Sequence, residues 1–141
     1  MDCHLILRQM HLEELHSHAE GCLPEESVAL LFGTVEGSNA IVKSVAIVSN
    51  EAKSRTTFSV EPTLQYRLLV DAEARGEELV CIFHSHPAPP EPSQTDLKNM
   101  KLNPVFWIIA SKESGSWESK AFLLENEKAM NVPIIFSDEE L

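Results

Sequence analysis

Phe83-His-Ser-His-Pro-Ala-Pro-Pro-Glu-Pro-Ser-Gln-Thr-Asp-Leu97 is the stretch on which the reading of this chain turns. It follows Leu79-Val-Cys-Ile-Phe83, a short apolar run read as a buried strand with His84 at its end. Residues two apart on a strand share a face, so His84 and His86 can approach one ion together. Ser93 follows Pro92 and precedes Gln94-Thr-Asp-Leu-Lys-Asn-Met100, which makes it the N-cap of a short helix. Asp96 then falls in the first turn, where the helix N-terminus favours an ionised carboxylate. Pro87, Pro89, Pro90 and Pro92 lie between, half of the eight prolines in the chain. A loop so restricted has few backbone states and can hold Asp96 near the histidines at low entropic cost. Two imidazoles, one carboxylate and a position left open are the donor set of a catalytic Zn2+ site.

Each part also has an ordinary explanation. Two histidines one residue apart are common, Ser93-x-x-Asp96 is a capping box, and prolines after a strand mark turns. Their conjunction within 13 residues at one strand-to-helix junction is what favours metal binding. The chain carries its own control in His16-Ser-His18. That pair sits in a helical pattern, where residues two apart point about 200° apart and cannot chelate one ion. His16 and His18 are therefore read as solvated helix residues.

At 141 residues, with 43% hydrophobic and 23% charged side chains, the chain has the length and composition of one soluble domain. No apolar run approaches a membrane span, and the N-terminus has neither a basic region nor a long apolar segment of a signal peptide. Cys3, Cys22 and Cys81 are odd in number and show no CxxC spacing, which argues against a disulfide framework and for a reducing cytoplasm, with a Cys3–Cys22 bridge left open. The net charge of −11 disfavours nucleic acid and anionic lipid and suits a partner offering lysines, although acidity also simply keeps a protein soluble.

Working outward, Leu5-Ile-Leu7 reads as a strand and Met10 to Glu20 as a helix with Leu12, Leu15 and Ala19 on one stripe and Gly21 as its stop. Val28 to Glu36 is apolar on both faces, so it should be interior; Gly37-Ser-Asn39 turns it into a return strand, Ala40 to Val48. Ser49 to Thr57 reads as a loop, and Phe58-Ser-Val60 as a short extended piece. Pro62 starts a second helix to about Arg75, with Leu64, Leu68 and Ala72 inward and Gly76 as its stop. After the site come strands at Val105–Ala110 and Trp117–Leu124, a polar link or short helix at Glu125–Asn131, and an extended Val132–Phe136. The expected architecture is α/β: one domain over 1–136, a mixed β-sheet sandwiched by helices, followed by an acidic tail, 137–141.

Hydrolysis also needs a base. There is no HExxH, so the base is not encoded beside the donors. Glu25 and Glu26, at the start of the interior strand, are both candidates, and spacing does not choose between them.

The text His84-Ser-His86-Pro87…Ser93-x-x-Asp96, with Glu26-Ser-Val-Ala-Leu-Leu-Phe-Gly33 upstream, resembles the JAMM motif of the MPN-plus metalloproteases, isopeptidases that remove ubiquitin or ubiquitin-like proteins. The resemblance covers about residues 1–125 and implies a cytidine-deaminase-like α/β fold. It also implies zinc held by His84, His86 and Asp96, Glu26 as general acid/base, Ser93 as donor to the developing oxyanion, and Ser85 as a support for the ligands. Nine residues separate His86 from Asp96, where the family usually has ten, and Ala29 stands where many members have glycine. The chain lacks the insertion after Asp96 that chain-selective members carry, which implies a minimal, prokaryotic-type member.

The expected function is zinc-dependent cleavage of ubiquitin-like proteins from lysine conjugates. Its rivals are a peptidase trimming a ubiquitin-like sulfur carrier and a non-catalytic MPN scaffold subunit, which would have lost ligands. A zinc nucleobase deaminase is disfavoured because its H-x-E and P-C-x-x-C signatures are absent. The partners expected are ubiquitin-like conjugates, without nucleic acid or membrane, and a homo-oligomer is compatible with the sequence.

Overall fold

The computed structural model describes residues 3–53, 59–87 and 89–137. Eleven elements follow in the order β1 (His4–Leu7), α1 (Gln9–Cys22), β2 (Val28–Glu36), β3 (Asn39–Val48), α2 (Pro62–Ala74), β4 (Glu78–Ser85), α3 (Gln94–Leu102), β5 (Phe106–Ser111), β6 (Glu118–Glu125), β7 (Lys128–Val132) and β8 (Ile134–Phe136). The strands form one mixed sheet in the order β7-β6-β5-β4-β2-β3-β1-β8. β2 lies inside it, antiparallel to both β3 and β4, while β4 and β5 run parallel with α3 between them.

The unbroken apolar run of β2 follows from burial on both faces. Ala29 and Leu31 pack with Leu15 and Ala19 of α1 on one side. Val28, Leu30 and Phe32 pack with Ala72 of α2 and Met100 of α3 on the other. The sheet is thus covered by α1 on one face and by α2 and α3 on the opposite face. Truncating a fully buried Leu or Phe in such a layer costs about 2–5 kcal/mol.

Gly33 is required by a close approach. The register between β2 and β3 shifts between Phe32 and Gly33, and a Cβ at Gly33 would collide with the Ile41 carbonyl. Glu61 caps α2 by accepting from the Leu64 N–H at 2.8 Å, with Pro62 in the first turn.

Some expectations are corrected. Gly21 lies inside α1, which runs to Cys22 and is capped by Leu23. Glu125–Asn131 is neither a link nor a helix: β6 and β7 form a hairpin around Asn126 and Glu127, both with positive φ. A turn with φ > 0 at both central residues is ordinarily announced by Asn-Gly or Asp-Gly, and Asn-Glu does not announce it. The final extended piece is the edge strand β8, parallel to β1. Phe58 and the tail residues after Ser137 lie outside the described residues. Cys3, Cys22 and Cys81 are free thiols. Among the described residues, no helix is long and apolar enough to cross a membrane.

Candidate active site

β4 delivers His84 and His86 to one place. His84 is paired with Val28 on one side and Ile109 on the other, and the His86 N–H donates to the Ala110 carbonyl at 3.0 Å. The strand pleat turns both imidazoles the same way, with ring centroids 5.4 Å apart. His84 is completely buried, edge-on to Trp107 at 5.8 Å, and the Trp107 indole N–H is fixed by the Asn103 carbonyl at 3.1 Å.

α3 delivers the carboxylate. The Ser93 Oγ accepts from the Asp96 N–H at 3.1 Å and Asp96 Oδ2 accepts from the Ser93 N–H at 2.9 Å, a complete capping box. Asp96 and Met100, one turn apart, are the buried residues of this helix. The capping box thus aims the Asp96 carboxylate while leaving Ser93 itself exposed. The capping reading and the metal reading of Ser93-x-x-Asp96 do not compete, because one carboxylate has the oxygens for both.

Asp96 Oδ1 lies 3.0 Å from His84 Nε2, and Oδ2 lies 3.6 Å from His86 Nε2. One donor atom from each of the three residues falls within 4.8 Å of the others, a cluster able to hold a metal ion. Burial acts to raise the Asp96 carboxyl, but hydrogen bonds from His84 and His86, the charge of His84 and the Ser93 N–H outweigh it and hold the group well below the usual carboxylate range. Two nitrogens and one ionised oxygen converging from buried positions fit a zinc ion.

Of the two glutamates before β2, Glu25 is exposed and Glu26 is buried. Burial pushes the Glu26 carboxyl up to about 8; the charge of His86 opposes this and that of Asp96 adds to it. Both of those charges belong to residues of the cluster. Glu25 instead lines a neighbouring groove of about 310 Å3 with Leu23, Pro24, His86, Pro87 and Trp117.

Ser85 points away from the cluster. Its Oγ accepts from the Ser27 N–H at 3.0 Å and sits 2.7 Å from the Ser27 Oγ, while its own N–H donates to the Ser27 carbonyl at 3.2 Å. It braces the segment carrying Glu26 rather than the imidazoles, because alternate residues of a strand face opposite ways. Asn50 is the residue that sequence reasoning missed. It is buried after β3, and its Nδ2 donates to the Glu26 carbonyl at 2.9 Å. The polar loop gave no signal of it; an Asn placed where a strand meets a loop was the only trace.

His16 and His18 are half-buried rather than fully solvated, which corrects part of that expectation. The His16 Nε2 lies 2.6 Å from the Ser119 Oγ, its ring stacks on Trp117 at 6.0 Å, and burial pushes both imidazoles down. The two histidines do diverge as the helix requires, since His18 faces Cys22.

Residues 8–122 match the family model of prokaryotic homologs of the JAB domain. The chain is 38% identical over 112 residues to the desampylase of Pyrococcus furiosus, an alignment spanning 78% of this chain and 75% of that protein. It is 28% identical over 114 residues to a probable TtuB-protein conjugate cleaving protease of Thermus thermophilus, covering 80% and 71%. Among solved structures, a protein from Desulfitobacterium hafniense superposes with a TM-score of 0.82 at 30% identity, covering 94% of this chain and 92% of that one. One from Salinibacter ruber does so at 0.68 and 26%, covering 99% and 94%. A buried His-His-Asp cluster at a strand-to-helix junction, on this sheet and in this sequence context, makes the chain a member of the prokaryotic JAB-domain (JAMM) family and a hydrolase of the metallopeptidase type.

Proposed function

We propose that the protein is a zinc-dependent isopeptidase that releases ubiquitin-like proteins from lysine side chains. The observation that carries the reading is the convergence of His84, His86 and Asp96, and it is supported by the burial of Glu26, on whose carboxyl the charges of His86 and Asp96 act. The names of the two relatives, a desampylase and a TtuB-conjugate protease, support the substrate class.

His84, His86 and Asp96 would hold the zinc, which when bound supplies a Lewis acid for the scissile carbonyl and lowers the pKa of water. Glu26 takes the proton of the attacking water and passes it to the leaving lysine amine, a role suited to a carboxyl whose pKa lies near neutrality. The Ser93 Oγ accepts from the Asp96 N–H, and this leaves its proton to donate to the oxyanion as charge develops on the carbonyl oxygen. Burial of Glu26 and Asp96 keeps bulk water from screening these charges.

The test is hydrolysis of a ubiquitin-like protein isopeptide-linked to a lysine peptide, compared with a short peptide amide. Zinc-loaded wild type should cleave the conjugate, and Glu26→Gln should retain zinc and lose at least about a hundredfold in rate. Cleavage of the short amide with no cleavage of the conjugate would replace this reading with that of a small-substrate peptidase.

A further inference from the structure

One peptide group beside the cluster is gripped at both poles. Its N–H, from Ser27, donates to the Ser85 Oγ, and its carbonyl, from Glu26, accepts from the Asn50 Nδ2 at 2.9 Å. The Asn50 side chain faces one acceptor and two donors: its Oδ1 takes the N–H groups of Ala52 and Ser59, each at 3.0 Å. Only one orientation of the amide satisfies all three, so its donor end is committed to Glu26. Both ends of the described loop after β3 are thereby tied through one buried side chain to the backbone of Glu26.

We propose that Asn50 is a positioning residue for the reaction: by fixing the Glu26 carbonyl it sets the direction in which the Glu26 side chain projects toward the cluster. The proposal rests on the reading of Glu26 as the proton carrier. Aspartate and asparagine have the same shape, and aspartate keeps an acceptor for Ala52 and Ser59. What Asn50→Asp removes is the donor, and it sets an oxygen against the Glu26 carbonyl instead. The loop function of Asn50 is thus separable from its hold on Glu26.

The experiment uses the full-length, zinc-loaded chain and the ubiquitin-like isopeptide conjugate. Asn50→Asp should lower kcat about ten- to hundredfold with KM within about twofold, since a displaced catalytic group costs rate rather than binding. Zinc should remain at one ion per chain. Placed on Glu26→Gln, the same change should add less than about twofold, because residues acting through one another are not additive. In the metal-free protein the Glu26 carbonyl carbon resonance should move upfield as its hydrogen bond is lost. Equal loss in both backgrounds, a loss carried by KM, or loss of zinc along with rate would each overturn the proposal. A wild type that binds zinc but cleaves nothing sinks the isopeptidase reading instead, and the carbonyl resonance then decides on Asn50 alone: unmoved in Asn50→Asp, it removes the proposal.

Discussion

The Ser85 hydroxyl oxygen lies 2.7 Å from that of Ser27 and accepts the Ser27 N–H, so the residue between the two histidines holds the residue after Glu26. The strand that presents the imidazoles is therefore fastened directly to the segment that presents the glutamate. Both serines are buried, and removing one hydroxyl leaves a donor without water to replace its partner. Ser85→Ala should lower unfolding free energy by about 1–3 kcal/mol in chemical denaturation. Ser85→Thr, which keeps the hydroxyl, should lose less; equal losses would show that volume, and not the hydrogen bond, sets the cost.

Glu26 should destabilise the metal-free fold at neutral pH. Its folded pKa, about 8, exceeds its ordinary value of 4.5, so between those values the folded state binds more protons than the unfolded state. Stability then falls as pH rises through that window. The Asp96 carboxyl works in the opposite sense, but its contribution is lost only at pH below the usual carboxylate range. After chelation, the melting temperature of wild type should decline across about pH 5–8. Glu26→Gln should melt higher at pH 8 and show a flatter profile. Parallel profiles in calorimetry would refute the assignment.

Asp96 has two duties, and two substitutions separate them. Asp96→Ala loses the carboxylate and the acceptor for the Ser93 N–H, so it should abolish zinc binding and cost an additional ~1 kcal/mol in the metal-free state through the lost cap. Asp96→Asn keeps an oxygen for the cap, so it should lose less metal-free stability than Asp96→Ala while still weakening zinc. Metal analysis with denaturation of the chelated proteins checks both. In wild type, zinc at about a hundred times its Kd should add about 2.7 kcal/mol.

Ser93→Ala should retain zinc and reduce kcat by about 10²–10³, with a stability cost near 1 kcal/mol from the cap. Ser93→Thr, which preserves cap and donor, should recover much of the rate. If alanine lowers stability but leaves kcat untouched, Ser93 only caps α3.

Much of this architecture is local and hence legible in sequence. A short unbroken apolar run marked β4, the Pro-Ser pair marked the start of α3, and the strand end put His84 and His86 on one face, whereas helical spacing separated His16 from His18. Edge elements were less legible. β7 carries Lys128 and Asn131 because one side of an edge strand meets water, so its pattern resembles a loop.

By itself the sequence determined the donor set, the helix cap that aims Asp96 and the interior position of β2, since propensity, pleat and capping act over a few residues. Only the tertiary structure decided which of Glu25 and Glu26 is buried, that Ser85 braces Ser27, and that Asn50 reaches the Glu26 carbonyl. Those facts depend on how β2, β3 and β4 lie side by side. A one-residue change in where β2 begins would exchange the two glutamates, and no local pattern registers it, because register is set by burial across the whole sheet.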